Sequence, residues 1–163
     1  MELRYRGRYR IPNQSTNMRA MHVTLKNVIH KLSGAGLLSK YGRSVPGRFN
    51  CDAESITFST KSGVHLRKEQ PQGAIANLFR SGDASEADDT IAITLKNMRE
   101  IYCRGRFCLL AVRPSGKRTD EYCNENYHVY AFDAGDATRA ASVFSKLRAV
   151  CEPHAYIRGV RYD

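Results

Sequence analysis

The chain has 163 residues, which is enough for one domain that buries its own hydrophobic core. Its 26 Lys and Arg residues outnumber its 16 Asp and Glu residues, and the net charge of +10 favours anionic partners such as phosphorylated peptides, anionic lipids or nucleic acid. No apolar run is long enough to cross a bilayer, and the first residues lack the apolar core of a signal peptide. We therefore expect a single soluble, cytoplasmic domain over residues 1–163.

The N-terminal half begins with an alternating segment. Apolar and basic residues alternate over residues 3–11 and predict a strand, with Tyr5 and Tyr9 on one buried face and the arginines in water, as in a half-buried edge strand. Apolar residues at helical spacing over residues 17–32 predict a helix. Residues 34–50 show no sustained period and predict a loop.

Alternating or β-branched segments return further along the chain and predict six more strands, over residues 55–60, 64–67, 90–95, 99–103, 107–112 and 127–132. The first two of these are joined by a tight turn and predict a hairpin. The composition of residues 69–89 shifts to Gln, Pro, Gly, Ser, Ala and acids, which predicts an inserted surface loop.

A helix is predicted near the C-terminus, after Asp133 and Asp136, whose carboxylates can cap its first N–H groups. The apolar face of this helix consists of Ala137, Ala140, Ala141, Phe144, Leu147 and Cys151. Residues 152–163 form a basic tail to which the sequence assigns no element.

These elements predict an α+β, mainly β domain whose core spans about residues 3–151. We expect a seven-stranded antiparallel sandwich or partial barrel that is capped by the C-terminal helix, with an extra helix after the first strand. This outline is that of the pleckstrin-homology-like (PH-like) superfold.

The sequence carries no recognisable catalytic constellation. It lacks the glycine-rich phosphate loops, the His-x-x-x-His pair and the Gly-x-Ser-x-Gly elbow. Cys123 and His128 could form a thiol nucleophile and base, but no third group orients them. We therefore expect no enzymatic activity.

The cysteines number five, an odd count without the paired spacing of a zinc site: Cys51, Cys103, Cys108, Cys123 and Cys151. We expect free thiols, no metal and no cofactor. Tyr and Arg interleave over residues 4–10, as in proteins that stack on single-stranded nucleic acid, but a strand with a solvated basic face explains the pattern better. No nucleic-acid partner is expected.

Several motifs, taken in order, resemble the phosphotyrosine-binding (PTB, or PID) domain family. Residues 3–7 resemble its first-strand pattern of hydrophobic-x-Tyr-x-Gly, and residues 15–21, with Met-Arg-Ala before a helix, resemble the Shc adaptor branch. Residues 56–60, 97–102 and 127–129 resemble later strands, the last of which commonly carries a His near its start.

The resemblance implies a signal-transduction adaptor that binds peptides of the Asn-Pro-x-phosphoTyr (NPxpY) type. In this family the peptide adds as an antiparallel strand to the fifth strand and lies against the C-terminal helix, a case of β-augmentation. The groove implied here consists of Arg99, Glu100, Ile101, Tyr102, Cys103, Arg104, His128, Phe144, Leu147 and Arg148.

The resemblance also implies which residues bind the phosphate. Arg19 and Arg113 match phosphate-contacting positions, and a guanidinium suits phosphate because it donates two charge-assisted hydrogen bonds. Glu125 stands where the Shc branch has a further basic residue, and Lys117 or Arg118 from the longer loop is expected to replace it.

A second departure concerns the C-terminal helix. Arg148 stands where the family usually has a large aromatic residue, so Phe144, one turn earlier, is expected to make that contact.

We therefore expect a monomeric phosphotyrosine-peptide-binding domain with a tyrosine-phosphorylated receptor tail or similar peptide as partner. Two alternatives stay open. One is phosphorylation-independent binding of NPxY or NPxF peptides, as in Dab- and Numb-like adaptors. The other is binding of phosphoinositides or other anionic phospholipid head groups through the basic surface, with recruitment to the inner face of the plasma membrane.

Overall fold

The computed structural model describes residues 1–12, 18–39, 44–60, 66, 89–113, 126–153 and 159–163. The strands are β1 (Glu2–Pro12), β2 (Val45–Cys51), β3 (Ser55–Thr60), β4 (Thr90–Thr94), β5 (Met98–Arg104), β6 (Phe107–Val112), β7 (Asn126–Asp133) and β8 (Gly159–Tyr162). The helices are α1 (Met18–Gly34) and α2 (Ala137–Cys151), and a short 3-10 helix (Leu95–Asn97) joins β4 to β5.

The described strands form one open eight-stranded sheet in the order β4-β3-β2-β1-β7-β6-β5-β8. Neighbours are antiparallel except β5 and β8, which run parallel. The molecule is therefore mainly β with two helices in its described part, which agrees with the expected α+β class. The PH-like arrangement of this sheet stays a prediction.

The strands differ from the sequence prediction at β2, inside the sheet, and at β8, at one end of it. β2 lies inside the segment predicted as a loop, so that assignment was wrong. β8 lies in the tail to which no element was assigned. The second strand of the predicted hairpin, residues 64–67, lies outside the described residues, apart from the buried Leu66.

β1 is a central strand and not the half-buried edge strand that its alternation predicted. It pairs with β2 on one side and β7 on the other, and its register with β7 shifts between Tyr5 and Gly7. This β-bulge turns the following residues over, so that Tyr5 and Tyr9 are buried on opposite faces of the sheet. Gly7 has a φ of +130°, a conformation that glycine adopts without strain.

α1 packs on one face of the sheet, because its apolar residues recur at helical spacing. These residues and the apolar side chains on the facing side of the sheet form the helix-1 cluster, which comprises Tyr9, Leu25, Val28, Ile29, Leu32, Leu38, Tyr102, Leu109, Ala111, Val129 and Ala131. α1 thus lies over β1, β7, β6 and β5.

α2 packs with the opposite face in a larger helix-2 cluster, to which strands from both halves of the sheet contribute. The helix supplies Ala140, Val143, Leu147 and Cys151. The predicted apolar face was partly wrong, because Ala137 and Ala141 are exposed and Val143, which was not included, is buried. Asp136 is the N-cap, and its carboxylate accepts a hydrogen bond from the backbone N–H of Arg139 at 2.7 Å.

Asp133 does not cap α2 as predicted but is the centre of a buried ion pair. It is 3% exposed, and its Oδ2 accepts from the guanidinium of Arg6, which is 5% exposed, at 2.9 Å. Arg106 reaches the same oxygen from a less buried position at 3.2 Å, and Oδ1 accepts from the N–H of Gly135. The positive charge of Arg6 on β1 can therefore be buried, because the carboxylate of Asp133 at the end of β7 pairs with it.

In the described part of the chain, neither helix combines the length and the apolar character that crossing a membrane requires.

Candidate functional site

The outer edge of β5 is covered by the short strand β8. Glu100, Ile101, Tyr102 and Cys103 are in register with residues 159–162, in that order. The pairing is extended by one residue, because the N–H of Asp163 donates to the carbonyl oxygen of Cys103 at 2.9 Å. This edge is therefore shaped to accept an added extended segment.

Tyr162 attaches β8 to α2 and to the turn after β5. Its ring lies against the ring of Phe144 on α2, with 5.6 Å between their centroids in a tilted arrangement. Its hydroxyl donates to the carbonyl oxygen of Gly105 at 2.8 Å. An aromatic side chain on an added strand thus finds an apolar wall and a polar acceptor together.

Asp163 attaches the end of β8 to three polar groups. Its carboxylate accepts from the Tyr102 hydroxyl at 3.0 Å and from the Arg161 guanidinium at 2.7 Å, and it pairs with the Lys26 ammonium of α1 at 3.3 Å. The hydrogen bond from Arg161, supported by those from Tyr102 and Lys26, lowers the pKa of the Asp163 carboxyl to about 2 against the opposing effect of desolvation. The carboxylate is therefore held in its charged form.

Several residues of the predicted groove belong to the hydrophobic interior. Ile101, Cys103 and Leu147 are fully buried in the helix-2 cluster, and Tyr102 is buried in the helix-1 cluster. Their backbones can form an edge, but the side chains of Ile101, Cys103 and Leu147 belong to the core. Tyr102 reaches the end of β8 with its hydroxyl, which donates to Asp163.

Glu100 is a carboxyl buried in the middle of β5. It is 3% exposed, and its neighbours in register are Ala111 on β6 and Gly159 on β8. Burial raises the pKa of this carboxyl from 4.5 to about 7, because desolvation penalises the charged form. The edge strand thus contains a group that titrates near neutral pH.

The predicted groove residues on the outside differ in their surroundings. Arg104 is exposed, with its guanidinium 3.1 Å from the His30 ring. Arg99 is half-buried and donates to the carbonyl oxygen of Met98 at 3.2 Å. Phe144 is half-buried against Tyr162, one turn before Arg148, the position at which the family usually has its aromatic residue.

Two other predicted groove residues lie apart from β8. Arg148 is exposed on α2 and pairs with Glu152 at 3.4 Å. His128 is buried on β7, which is separated from β5 by β6. The structure thus does not bring His128 to the edge.

The predicted phosphate-binding residues are only partly within the described structure. Arg113 directly follows β6, is half-buried, and its backbone N–H donates to the carbonyl oxygen of Asn97 at 2.8 Å. Arg19 lies in the first turn of α1, and its side chain is not among those that the structure describes. Lys117 and Arg118 lie outside the described residues.

The register of the strands shows which end of the sheet Arg113 occupies. Val112, the residue before it, pairs with Met98 at the start of β5 and with His128 near the start of β7. β1 ends at the same side, because Pro12 pairs with Asn126, and α1 begins six residues later. Arg113 therefore lies at the end of the sheet at which β5 begins, and β1 ends at the same side before the chain continues to α1.

Sequence reasoning missed β8, although a weak signal for it exists. Val160 and Tyr162 alternate with Arg161, the period of a strand with one buried face. Four residues are too few for such alternation to be distinguished from a tail.

No model of a known protein family matches the chain, and a search of curated proteins finds no match either. The functional assignment therefore depends on the residues and geometry described above.

Proposed function

We propose that this chain is a PTB-type domain of the PH-like superfold, which binds NPxpY-like peptides by β-augmentation on the outer edge of β5. The observation that carries the proposal is that this edge accepts an extended segment beside α2. Main-chain hydrogen bonds would supply affinity, and the pocket next to Phe144 would select side chains.

The arrangement of the sheet supports this choice of edge. β5 is the last strand of the antiparallel run β4-β3-β2-β1-β7-β6-β5, so its outer side has no partner within that run. α2 packs with β5 through Val143 and Leu147 in the helix-2 cluster, which positions Phe144 beside the edge. A peptide on β5 would thus lie between a strand and a helix, as the family resemblance implies.

The direction of the peptide supports the assignment of the phosphate ligands. An antiparallel peptide has its C-terminal part, and hence its phosphotyrosine, near the start of β5. Arg113 lies at that end of the sheet, where β1 also ends six residues before α1, whose first turn contains Arg19. We propose Arg19 and Arg113 as the main phosphate ligands, with Lys117 or Arg118 as a further cation.

The proposal is tested with a fluorescently labelled NPxpY peptide and its unphosphorylated twin, by fluorescence anisotropy. Arg19→Ala and Arg113→Ala are each expected to weaken phosphopeptide binding about tenfold or more, because each removes a charge-assisted hydrogen bond of roughly 1.5–3 kcal/mol. Arg48→Ala is the matched control, because Arg48 is an exposed arginine on β2.

Equal affinity for the two peptides would replace phosphate recognition by phosphorylation-independent binding at the same edge. Absence of binding for both peptides, also after release of β8 by the substitutions described below, would overturn the proposed function. Binding of anionic lipid stays a prediction that rests on the net charge and on the expected PH-like fold.

A further inference from the structure

We propose that β8 is an intramolecular competitor that closes the peptide-binding edge of β5 and must leave before a peptide can bind. This inference rests on the proposed function, because it concerns the regulation of the same site. It adds a closed state, in which the edge is occupied by residues 159–163, and an open state, in which the edge is exposed.

Competition follows from the hydrogen bonding of an edge strand. An edge strand offers one row of backbone donors and acceptors, and β8 is paired to this row from Glu100 to Cys103. A peptide that adds to β5 needs the same groups. Simultaneous binding of β8 and a peptide strand is therefore excluded over these residues.

The described side-chain hydrogen bonds between β8 and other elements lie near its end. The described side-chain hydrogen bonds come from Tyr162 and Asp163, and the ion pair of Asp163 with Lys26 is partly exposed and hence screened by solvent. Val160 and Tyr162 are only partly buried at the rim of the helix-2 cluster. The fully buried members of both clusters come from other elements, so β8 can leave without opening the core.

The direction of β8 distinguishes it from the proposed peptide. β8 runs parallel to β5 and carries Asp163 toward the end of β5, where Lys26 and Tyr102 meet it. The proposed phosphate ligands lie near the start of β5. β8 therefore blocks the strand-binding part of the groove and does not imitate the phosphotyrosine.

The size of the effect depends on the fraction of molecules with an open edge. The apparent dissociation constant of a peptide equals its intrinsic value divided by this fraction. If about one molecule in ten to one in a hundred is open, release of β8 strengthens peptide binding by about tenfold to a hundredfold.

The test uses the full chain with the double substitution Tyr162→Ala and Asp163→Ala, which removes the described side-chain contacts at the end of β8. Glu54→Ala is the control, because Glu54 is an exposed acid in the turn between β2 and β3. Hydrogen exchange of the amides of Ile101 and Cys103 reports release of β8, because the backbone groups of these two residues lie on the side of β5 that faces β8. Affinity is measured for two probes, the NPxpY peptide and a synthetic peptide with the sequence of residues 157–163.

In the double variant we expect faster exchange at β5, unchanged thermal unfolding of the core, and binding of both probes at least about tenfold tighter than in the wild type. The control variant should match the wild type in every measurement. Retained exchange protection at β5 would overturn the proposal, because Tyr162 and Asp163 would then not hold β8. Faster exchange with phosphopeptide affinity within twofold of the wild type would overturn it as well.

The two probes separate this inference from the proposed function. If the NPxpY peptide binds neither protein, while the peptide of residues 157–163 binds the double variant alone, the proposed function fails and closure of the edge by β8 stands. If the NPxpY peptide binds both proteins equally well, the proposed function stands and closure fails.

Discussion

The ion pair between Arg6 and Asp133 gives the sharpest test of the forces that hold the sheet together. Both side chains are almost completely buried, and the guanidinium meets one carboxylate oxygen through Nε at 3.3 Å and Nη2 at 2.9 Å. We consider Asp133→Asn, which preserves the shape and an acceptor for the Gly135 N–H but removes the negative charge.

Asp133→Asn leaves the charge of Arg6 buried without its carboxylate, and breaking a buried pair in this way costs about 3–5 kcal/mol. This is a large part of the roughly 5–15 kcal/mol by which a domain is usually stable. Arg106 approaches the same carboxylate from a position that is 33% exposed, so Arg106→Ala should cost only about 1 kcal/mol or less.

Urea unfolding, followed by circular dichroism, measures both effects, provided that the dependence of the unfolding free energy on urea is the same for all variants. The double substitution of Arg6 and Asp133 by Leu should recover much of the lost stability, because no unpaired charge then remains buried. A loss below about 1 kcal/mol for Asp133→Asn, or no recovery in the double variant, would refute the role assigned to the charge.

Three further predictions concern β5, β2 and α2. The pKa of Glu100 is about 7 in the folded protein and 4.5 when unfolded, so its contribution to the free energy of unfolding is full below pH 4.5 and falls by up to about 3 kcal/mol by pH 7. The unfolding free energy of Glu100→Gln should not show this fall, and a pH profile identical to that of the wild type would contradict the prediction. Gly47→Ala puts a methyl group 2.5 Å from a ring atom of Phe58 and should cost about 1–3 kcal/mol of unfolding free energy, whereas Gly34→Ala, which meets no atom within 4 Å, should not destabilise. Asp136→Ala removes the N-cap of α2 and should cost about 1 kcal/mol in urea unfolding, with Asp136→Asn nearly neutral.

Much of the secondary structure was predictable, because local patterns agree with the fold. β3 and β6 have the predicted bounds, and β1, β4, β5, β7 and both helices lie within two residues of the predicted segments. In β3 and β4 the apolar period of two matches a face that is buried in the structure, and in α1 the period of three to four residues does so.

β2 was missed because its sequence contains Pro46 and Gly47, residues that usually signal a turn. The burial pattern of the strand nevertheless alternates, and Gly47 is small enough to let the ring of Phe58 from β3 pack over it. A glycine that is required by a neighbour distant in sequence cannot be distinguished from a turn glycine by local pattern alone.

The environment of β1 could not be read from the sequence for a related reason. Its alternation placed the arginines in water, but Arg6 is buried because its guanidinium pairs with Asp133, 127 positions along the chain. The bulge at Gly7 also changes which residues face each cluster. Pairing and bulges are properties of the assembled sheet and leave little trace in one strand.

The candidate site was predictable in outline only. The resemblance to the PTB family pointed to β5 and to Phe144 next to it, and the structure brings both together around Tyr162. It gave no reason to expect β8 on that edge. The phosphate ligands and the ligand itself stay predictions.

The pairing of β1 with β7 has a consequence for how the molecule assembles. The sheet contains two groups of consecutive strands, β1 to β4 and β5 to β7. The pairing of β1 with β7 joins the two groups, and we call this pairing the seam. Closing this seam brings together residues more than a hundred positions apart, which costs chain entropy and slows folding. During synthesis β1 emerges long before β7, so the pairing of these two strands can form only after β7 has left the ribosome. The Arg6–Asp133 pair bridges this seam and can form only at that late step.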